Sequence, residues 1–213
     1  MIRFRASGLA EIMTDSKTKD EPLSKGARTV IEAMAKEFVY GYHKTISGKE
    51  MEKGTLVEDD SIRLYNEVFF TDYGKNTVRR ENDWLTGECD IASPAKIIDI
   101  KSSWSIPTFP ATVATATAQA KERGYDWQLR AYMWLWDVDQ AEVAFCLVNT
   151  PDELIGYEDP ELHYVDHINP TLRITTVQYT RDRDLEEKIK AKVEASNEYM
   201  QQIVARIQLE HHV

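Results

Sequence analysis

Basic residues are in short supply in this chain of 213 residues: 26 Lys and Arg stand against 36 Asp and Glu, a formal net charge of -10. That balance argues against a protein that coats nucleic acid indiscriminately, because such binding rests on neutralising phosphates with Lys and Arg. It leaves room for a site that gathers acidic side chains around a divalent cation and needs only a local basic track. Cysteine is scarce as well. Cys89 and Cys146 lie in apolar, strand-like segments with no partner at zinc-ligand spacing, which argues against a zinc site and a disulfide scaffold and reads both as reduced core residues. No stretch approaches the roughly 18 uninterrupted apolar residues of a membrane span. The N-terminal Met1-Ile2-Arg3-Phe4-Arg5 leads into a polar segment instead of the apolar core of a signal peptide, so a cytoplasmic protein is expected. With 42% hydrophobic and 29% charged residues, the composition suits one globular domain over residues 1–213.

The chain shows no internal repeat and no long linker. Residues 14–26 are charged and contain Pro22, which makes them a loop. From 27 to 42, Val30, Ile31, Met34, Ala35, Phe38, Val39 and Tyr42 recur at helical spacing, and Gly41 and Gly48 mark the exit. A second helix is expected over 50–66. The β-formers of Glu67-Val68-Phe69-Phe70-Thr71, the turn residues Tyr73-Gly74-Lys75-Asn76 and the segment Thr77-Val78-Arg79-Arg80 together predict a hairpin. Two more strands are expected over 84–91 and 95–102, joined through Ser93-Pro94. Residues 104–117, with Pro107 and Pro110, read as irregular, and a helix follows over 121–137. Residues 142–149 form a near-continuous apolar run suited to a buried strand. Residues 173–180 alternate as another strand, and a last helix from Asp182 carries Leu185, Ile189, Val193, Met200, Ile203 and Ile207 in one line. The class is α/β, a mixed central β-sheet flanked by helices.

The informative stretch is Gly87-Glu88-Cys89-Asp90-Ile91 followed by Ile97-Ile98-Asp99-Ile100-Lys101. Asp90 is expected to end one strand and Asp99 to lie near the end of the next, so a hairpin brings the two carboxylates together. Asp99 and Lys101 are two apart in an extended strand and share a face, while Ile98 and Ile100 point to the core. Carboxylate oxygens at one strand edge suit Mg²⁺ and leave positions for water and a phosphate oxygen. A neighbouring lysine can orient that water or offset charge developing in the transition state. A pattern this short also fits an ordinary hairpin with surface carboxylates. Two further features add weight: Lys53-Gly54-Thr55-Leu56-Val57-Glu58 on the second helix, and Gln128 with Tyr132, four apart on one helical face of Asp126-Trp127-Gln128-Leu129-Arg130-Ala131-Tyr132.

In order, Gly-x-x-x-Glu on a helix, Asp before a strand, Asp-x-Lys within it and Gln-x-x-x-Tyr on the next helix resemble the RecB-like branch of the PD-(D/E)XK nucleases, and within it the lambda-type phage exonucleases. The motifs span residues 54–132. The resemblance implies a restriction-endonuclease-like core and a Mg²⁺-dependent deoxyribonuclease, with Mn²⁺ as a substitute. It implies metal binding by Glu58, Asp90 and Asp99, with the backbone carbonyl of Ile100 as a further ligand, and makes Lys101 the catalytic lysine. Gln128 would orient the lysine or contact DNA, and Tyr132 would support the site or contact DNA. Asp99 stands where Glu is often found, a shorter side chain that keeps the ligand.

The segment Arg3-Phe4-Arg5-Ala6-Ser7-Gly8-Leu9 resembles the Arg-and-Ser segment with which such exonucleases open the first helix and grip a 5′-phosphate. A Ser at a helix N-cap, free N–H groups and a guanidinium make an anion site; the spacing does not choose between Arg3 and Arg5. Trp104, just beyond Lys101, is a candidate for stacking at a DNA end, and Lys75, Arg79 and Arg80 for a phosphate track. The implied activity is 5′-to-3′ digestion of double-stranded DNA ends for recombination. A single-strand annealing protein is the implied partner and a trimeric ring the implied homo-oligomer. The alternatives are a structure- or sequence-specific endonuclease on the same fold and a non-catalytic nucleic-acid-binding module.

Overall fold

The computed structural model describes residues 2–19, 21–44 and 47–211. The short strand β1 (Phe4–Arg5) and one 3-10 turn (Ala6–Gly8) lead into α1 (Ala10–Met13) and α2 (Lys25–Tyr40). Helix α2 starts where Ser24 Oγ accepts the Ala27 N–H and ends at Gly41, whose left-handed φ of 65° no side chain opposes. There follow α3 (Lys49–Leu56), α4 (Glu58–Phe69), β2 (Arg80–Glu81), β3 (Leu85–Gly87), β4 (Ile91–Ala92) and β5 (Ile97–Ser102). The second half holds α5 (Val113–Glu122), α6 (Tyr125–Trp136), β6 (Gln140–Cys146), α7 (Asp152–Ile155), β7 (Ile174–Thr180) and the long α8 (Arg183–Glu210), capped by Asp182.

The strands form two sheets, one more than the sequence suggests. The larger has the order β4-β5-β6-β7, with only the β5–β6 pair parallel. The smaller has the order β1-β3-β2, with β1 parallel to β3. A parallel neighbour requires a crossover, and α5 with α6 supplies it between β5 and β6. Both faces of the larger sheet are covered. Ile98, Ile100, Ala144 and Cys146 pack with Ile62, Leu64 and Tyr65 of α4, while Ile97, Val143, Phe145 and Val177 pack with α1, α2, α6 and α8. The α/β class with helices flanking a mixed sheet is therefore as expected. Among the described residues no helix is long and apolar enough to cross a membrane.

Four local expectations differ. The helix expected over 50–66 is broken at Val57 (φ -109°, ψ 16°), whose buried side chain anchors the break. Glu58 consequently opens α4 instead of lying within a continuous helix. The strand expected at 67–71 is the end of α4, because Tyr65 and Phe69 sit four apart and their rings meet at 4.6 Å. Helical spacing overrides the β-propensity of Val68 and Phe69, and the Asn66 side chain then binds Thr71 and Tyr73 to turn the chain. The hairpin over 67–80 is absent for the same reason. The strand expected over 84–91 is two strands in different sheets, with Glu88, Cys89 and Asp90 between them.

Finally, the irregular stretch and the single helix expected over 104–137 are two helices. Thr112 Oγ1 accepts the Thr115 N–H and starts α5, and Ala116 and Ala120 bury its small-residue face. The break falls at Gly124, left-handed at φ 73°, where a Cβ would lie 2.1 Å from the Cβ of Ala10. Gly124→Ala, strained by both backbone and contact, is expected to lower stability by about 2 kcal/mol or more, read as a fall in the urea midpoint without a change in slope.

Candidate active site

Strand β5 carries the acidic centre. Its alternation turns Asp99 and Lys101 away from the α4 side, and Asp99 is only 1% exposed. Ile91 of β4 pairs with Ile98 of β5, so one step outward in this antiparallel register brings Asp90 alongside Asp99. Asp90 does not end a strand, as the sequence suggested; it sits in the bend before β4, where its Oδ2 accepts the Ile100 N–H at 2.6 Å. That bond ties the bend to the middle of β5.

The electrostatics follow from burial. Asp99 Oδ2 lies 2.6 Å from Lys101 Nζ, yet this contact is not aligned as a hydrogen bond and Oδ2 has no other partner among the described residues. Desolvation, and next the charge of Asp99, push the Asp90 carboxyl up to about 7, against the opposing pull of Lys101 and the Ile100 N–H. For Lys101, burial disfavours the ammonium, but Asp99 and Asp90 outweigh it and hold the group above the ordinary lysine range. The site has more negative charge than its one close ammonium balances.

Helix α6 presents one face to this centre. The Gln128 amide donates to Tyr132 Oη at 2.8 Å and lies 3.4 Å from Asp99 Oδ1, a long contact. Tyr132 Oη donates to the Glu88 carbonyl at 2.9 Å. Burial, then the charge of Asp99, raise the Tyr132 phenol, so it stays a neutral donor. One turn earlier, the Tyr125 ring stands with its centroid 4.5 Å from Lys101 Nζ. The close approach of α6 to β3 needs Gly87, where a Cβ would meet Tyr132 Cε1 at 2.8 Å. Gln128 and Tyr132 thus join the site, although Gln128 addresses Asp99 and not the lysine.

Glu58, Asp90, Asp99, Ile100, Lys101, Gln128 and Tyr132 all line one open cavity of about 500 Å³. Three carboxylates and the Ile100 carbonyl are oxygen donors of the kind Mg²⁺ takes, and two buried acids sharing one ammonium, with the Asp90 carboxyl raised, favour a further cation there. The residues fit a divalent ion in chemistry. They do not converge as one preformed cage: among the described residues no three His, Cys, Asp or Glu side chains stand close enough to share an ion as they lie. The cause is visible, since Glu58 Oε2 is 2.7 Å from Lys75 Nζ and Asp90 is committed to the Ile100 N–H.

The N-terminal residues divide. Arg3 faces elsewhere, donating to the Asn82 carbonyl at 2.7 Å and pairing with Glu81 at 3.0 Å. Arg5 and Ser7 line a second cavity with Arg79, Thr86, Glu88 and Tyr132, and Ser7 also borders the first. Ser7 caps no helix; it lies inside the 3-10 turn and receives no cap hydrogen bond, because the chain needs that turn between β1 and α1. Of the expected phosphate track, Lys75 and Arg79 are paired with Glu58 and Glu88, and Arg80 stacks over Trp136. Trp104 does line the site, held through its Nε1 by Glu158 at 3.0 Å.

Lys53 escaped the sequence reading. It is fully buried, and its ammonium donates to the carbonyls of Ser103 (2.6 Å), Trp104 (3.0 Å) and Val148 (2.9 Å). Desolvation pulls its pKa down to about 8. It pins the segment that leaves β5, which forms a wall of the cavity, and Thr150 and the buried His163 brace the same wall. Nothing in hydropathy or spacing marks a lysine as a core residue; its place one step before Gly54 is the only hint.

Two stability measurements test this electrostatic picture. An acid raised from 3.8 to about 7 on folding costs stability as pH climbs through that window, because the unfolded chain ionises first. In chelator, Asp90→Asn is therefore expected to match the parent near pH 4 and exceed it near pH 8; equal stability at both pH values would contradict the buried-charge account. Lys53→Met strands two buried carbonyls and a half-buried one and is expected to lose about 2–4 kcal/mol in denaturant unfolding.

No protein-family model matches the sequence, and no curated protein matches it either. Solved structures do. A phage-related exonuclease from Haemophilus somnus 129PT is 38% identical, covers 97% of this chain and 96% of its own, and superposes with a TM-score of 0.92. The alkaline exonuclease LHK-Exo from Laribacter hongkongensis shares the fold at 12% identity, 99% and 93% coverage and a TM-score of 0.67. Its complex with dAMP gives 13% identity, the same coverage and a TM-score of 0.66. On the first of these likenesses, the chain belongs to the phage-related exonuclease family.

Proposed function

We propose that this protein is a Mg²⁺-dependent deoxyribonuclease of the PD-(D/E)XK type that digests double-stranded DNA from 5′ to 3′. The observation that carries the reading is the meeting of Asp90, Asp99 and Lys101 in one cavity, with Asp99 buried and paired to Lys101 at 2.6 Å. Membership of an exonuclease family supports the same chemistry.

In this reading Asp90, Asp99, Glu58 and the Ile100 carbonyl would hold the ion, and Glu58 would have to give up its contact with Lys75 to do so. When bound, the ion polarises the scissile phosphate and makes a bound water a better nucleophile. The chain's own groups do the rest. Lys101 projects its ammonium from the same strand face as Asp99, where it can orient the attacking water and offset charge on the phosphate oxygens. Gln128 stands beside Asp99 at a long 3.4 Å, and Tyr132, which accepts from Gln128, ties α6 to the Glu88 backbone near Asp90. Arg5, Ser7 and Arg79 border the adjoining cavity, where a terminal 5′-phosphate can receive guanidinium and hydroxyl donors. A ring-shaped homo-oligomer, a trimer, and a single-strand annealing partner belong to the same proposal through the resemblance.

The test is digestion in Mg²⁺ of three duplexes: linear with a 5′-phosphate, linear with a 5′-hydroxyl, and covalently closed circular. The phosphorylated linear DNA is expected to disappear first and the circle to survive. Lys101→Ala should be slower by about 10²- to 10³-fold. Cut circles would move the assignment to an endonuclease. No cleavage of any DNA by the parent protein would remove the nuclease reading.

A further inference from the structure

We infer that Tyr125 is a positioning residue for Lys101, holding its ammonium by a cation–π contact while Asp99 serves the ion; this rests on the nuclease reading above. Lys101 Nζ stands 4.5 Å from the Tyr125 ring centroid, within the range over which a ring face attracts an ammonium. Tyr125 is itself fixed. It is the first residue of α6, directly after the left-handed Gly124 that Ala10 crowds, and its ring packs on Phe145 with centroids 6.1 Å apart. Phe145 lies opposite Lys101 in the β5–β6 register, so strand pairing and ring packing place the same two partners together. Tyr125, Gln128 and Tyr132 then form one stripe of α6 at positions i, i+3 and i+7, meeting Lys101, Asp99 and Glu88 in turn.

The need for such a contact comes from a conflict over Asp99. As the site lies, Asp99 Oδ2 is the only carboxylate oxygen in salt-bridge contact with Lys101 among the described residues, at 2.6 Å. An oxygen that coordinates a divalent ion has less charge to offer the lysine, and an unrestrained four-carbon side chain would leave for solvent. A second carboxylate beside Lys101 would restrain it, but would also compete for its N–H donors and add negative charge where phosphate must approach. A ring face attracts the ammonium without hydrogen-bonding it, and leaves the donors free for water and phosphate oxygens. The contact belongs to the ring face and not to the Tyr125 hydroxyl.

The experiment replaces Tyr125 by Phe, by Leu, and by phenylalanines carrying one to five ring fluorines, which weaken the face of the ring with little change in its size. On 5′-phosphorylated linear duplex, Tyr125→Phe is expected to stay within about twofold of the parent kcat. The fluorinated series should fall stepwise towards Tyr125→Leu, about 5- to 30-fold down, with KM nearly constant. A second readout needs no DNA: the rate of reductive methylation of Lys101, followed by mass spectrometry, should rise several-fold along the same series. Tyr125→Phe as impaired as Tyr125→Leu would assign the effect to the hydroxyl and overturn the inference. A flat fluorine series in both readouts would reduce Tyr125 to packing and overturn it as well. If the parent protein cleaves no DNA the nuclease reading falls, and the methylation series still decides the contact.

Discussion

Two carboxylates cannot both be ionised at the buried edge of a sheet without a cation, and the architecture around Asp90 and Asp99 is organised by that constraint. Placing Asp99 in the β5 register, almost without solvent, costs its hydration. The backbone answers for Asp90 with the Ile100 N–H, and the strand answers for Asp99 with Lys101 two residues along. These are short-range remedies, both drawn from β5 itself, and they leave the Asp90 carboxyl raised and two acids sharing one ammonium. Natural cores rarely keep such a deficit unless a ligand is to fill it. The surrounding packing is what sustains the deficit: Ile98 and Ile100 bury the other face of β5, so the strand cannot flip its acids outward without exposing them.

On the proposed nuclease reading, the same constraint would let a chain of net charge -10 offer a surface to a polyanion. Of the cations bordering the site beyond Lys101, Arg79 is held by the half-exposed Glu88 and Arg123 loosely by the exposed Glu50 at 3.8 Å, while Lys75 pairs with Glu58, whose side chain is only 19% exposed. Exposed pairs of this kind contribute only about 0–1 kcal/mol. Exchanging such a partner for a phosphate or an ion is therefore inexpensive, whereas the buried groups stay fixed. Lys53 sits at the opposite limit. Its three carbonyl partners come from two separate segments, so its charge serves to lock the cavity wall and is not available for exchange.

What could be read from the sequence was what obeys local rules. Helix α2 with its Gly41 exit, the apolar β6 run and α8 from Asp182 are all legible to within a few residues, though the Ser24 cap is not. The acidic pair, the lysine, Gln128 and Tyr132 are legible through the order of their motifs, which resembles the nuclease family; spacings of nine, two and four residues alone also fit an ordinary hairpin and helix face. The misreadings occurred where tertiary contact overrules local preference. Val68 and Phe69 look like strand formers until Tyr65 is seen to pack on Phe69 along a helix. The Thr- and Ala-rich run at 111–120 looks irregular until the Thr112 cap and the buried Ala116 and Ala120 are seen. Gly124 carries no sign of the approach of Ala10, 114 positions earlier.

That approach has a consequence for the chemistry. Had α5 and α6 been one continuous helix, Tyr125 would sit in mid-helix on an axis set by α5, whose Ala116 and Ala120 face the core. The left-handed residue at 124 lets α6 take its own direction, down across β3 at Gly87, where only a missing Cβ admits Tyr132 and Leu135. Two glycines thus set both ends of the stripe that meets Lys101, Asp99 and Glu88. Neither carries a side chain, and that absence decides where the site forms. A motif search weighs residues that carry functional groups, so it recovers Gln128 and Tyr132. It passes over Gly124 and, with it, Tyr125, whose role depends on where the helix begins.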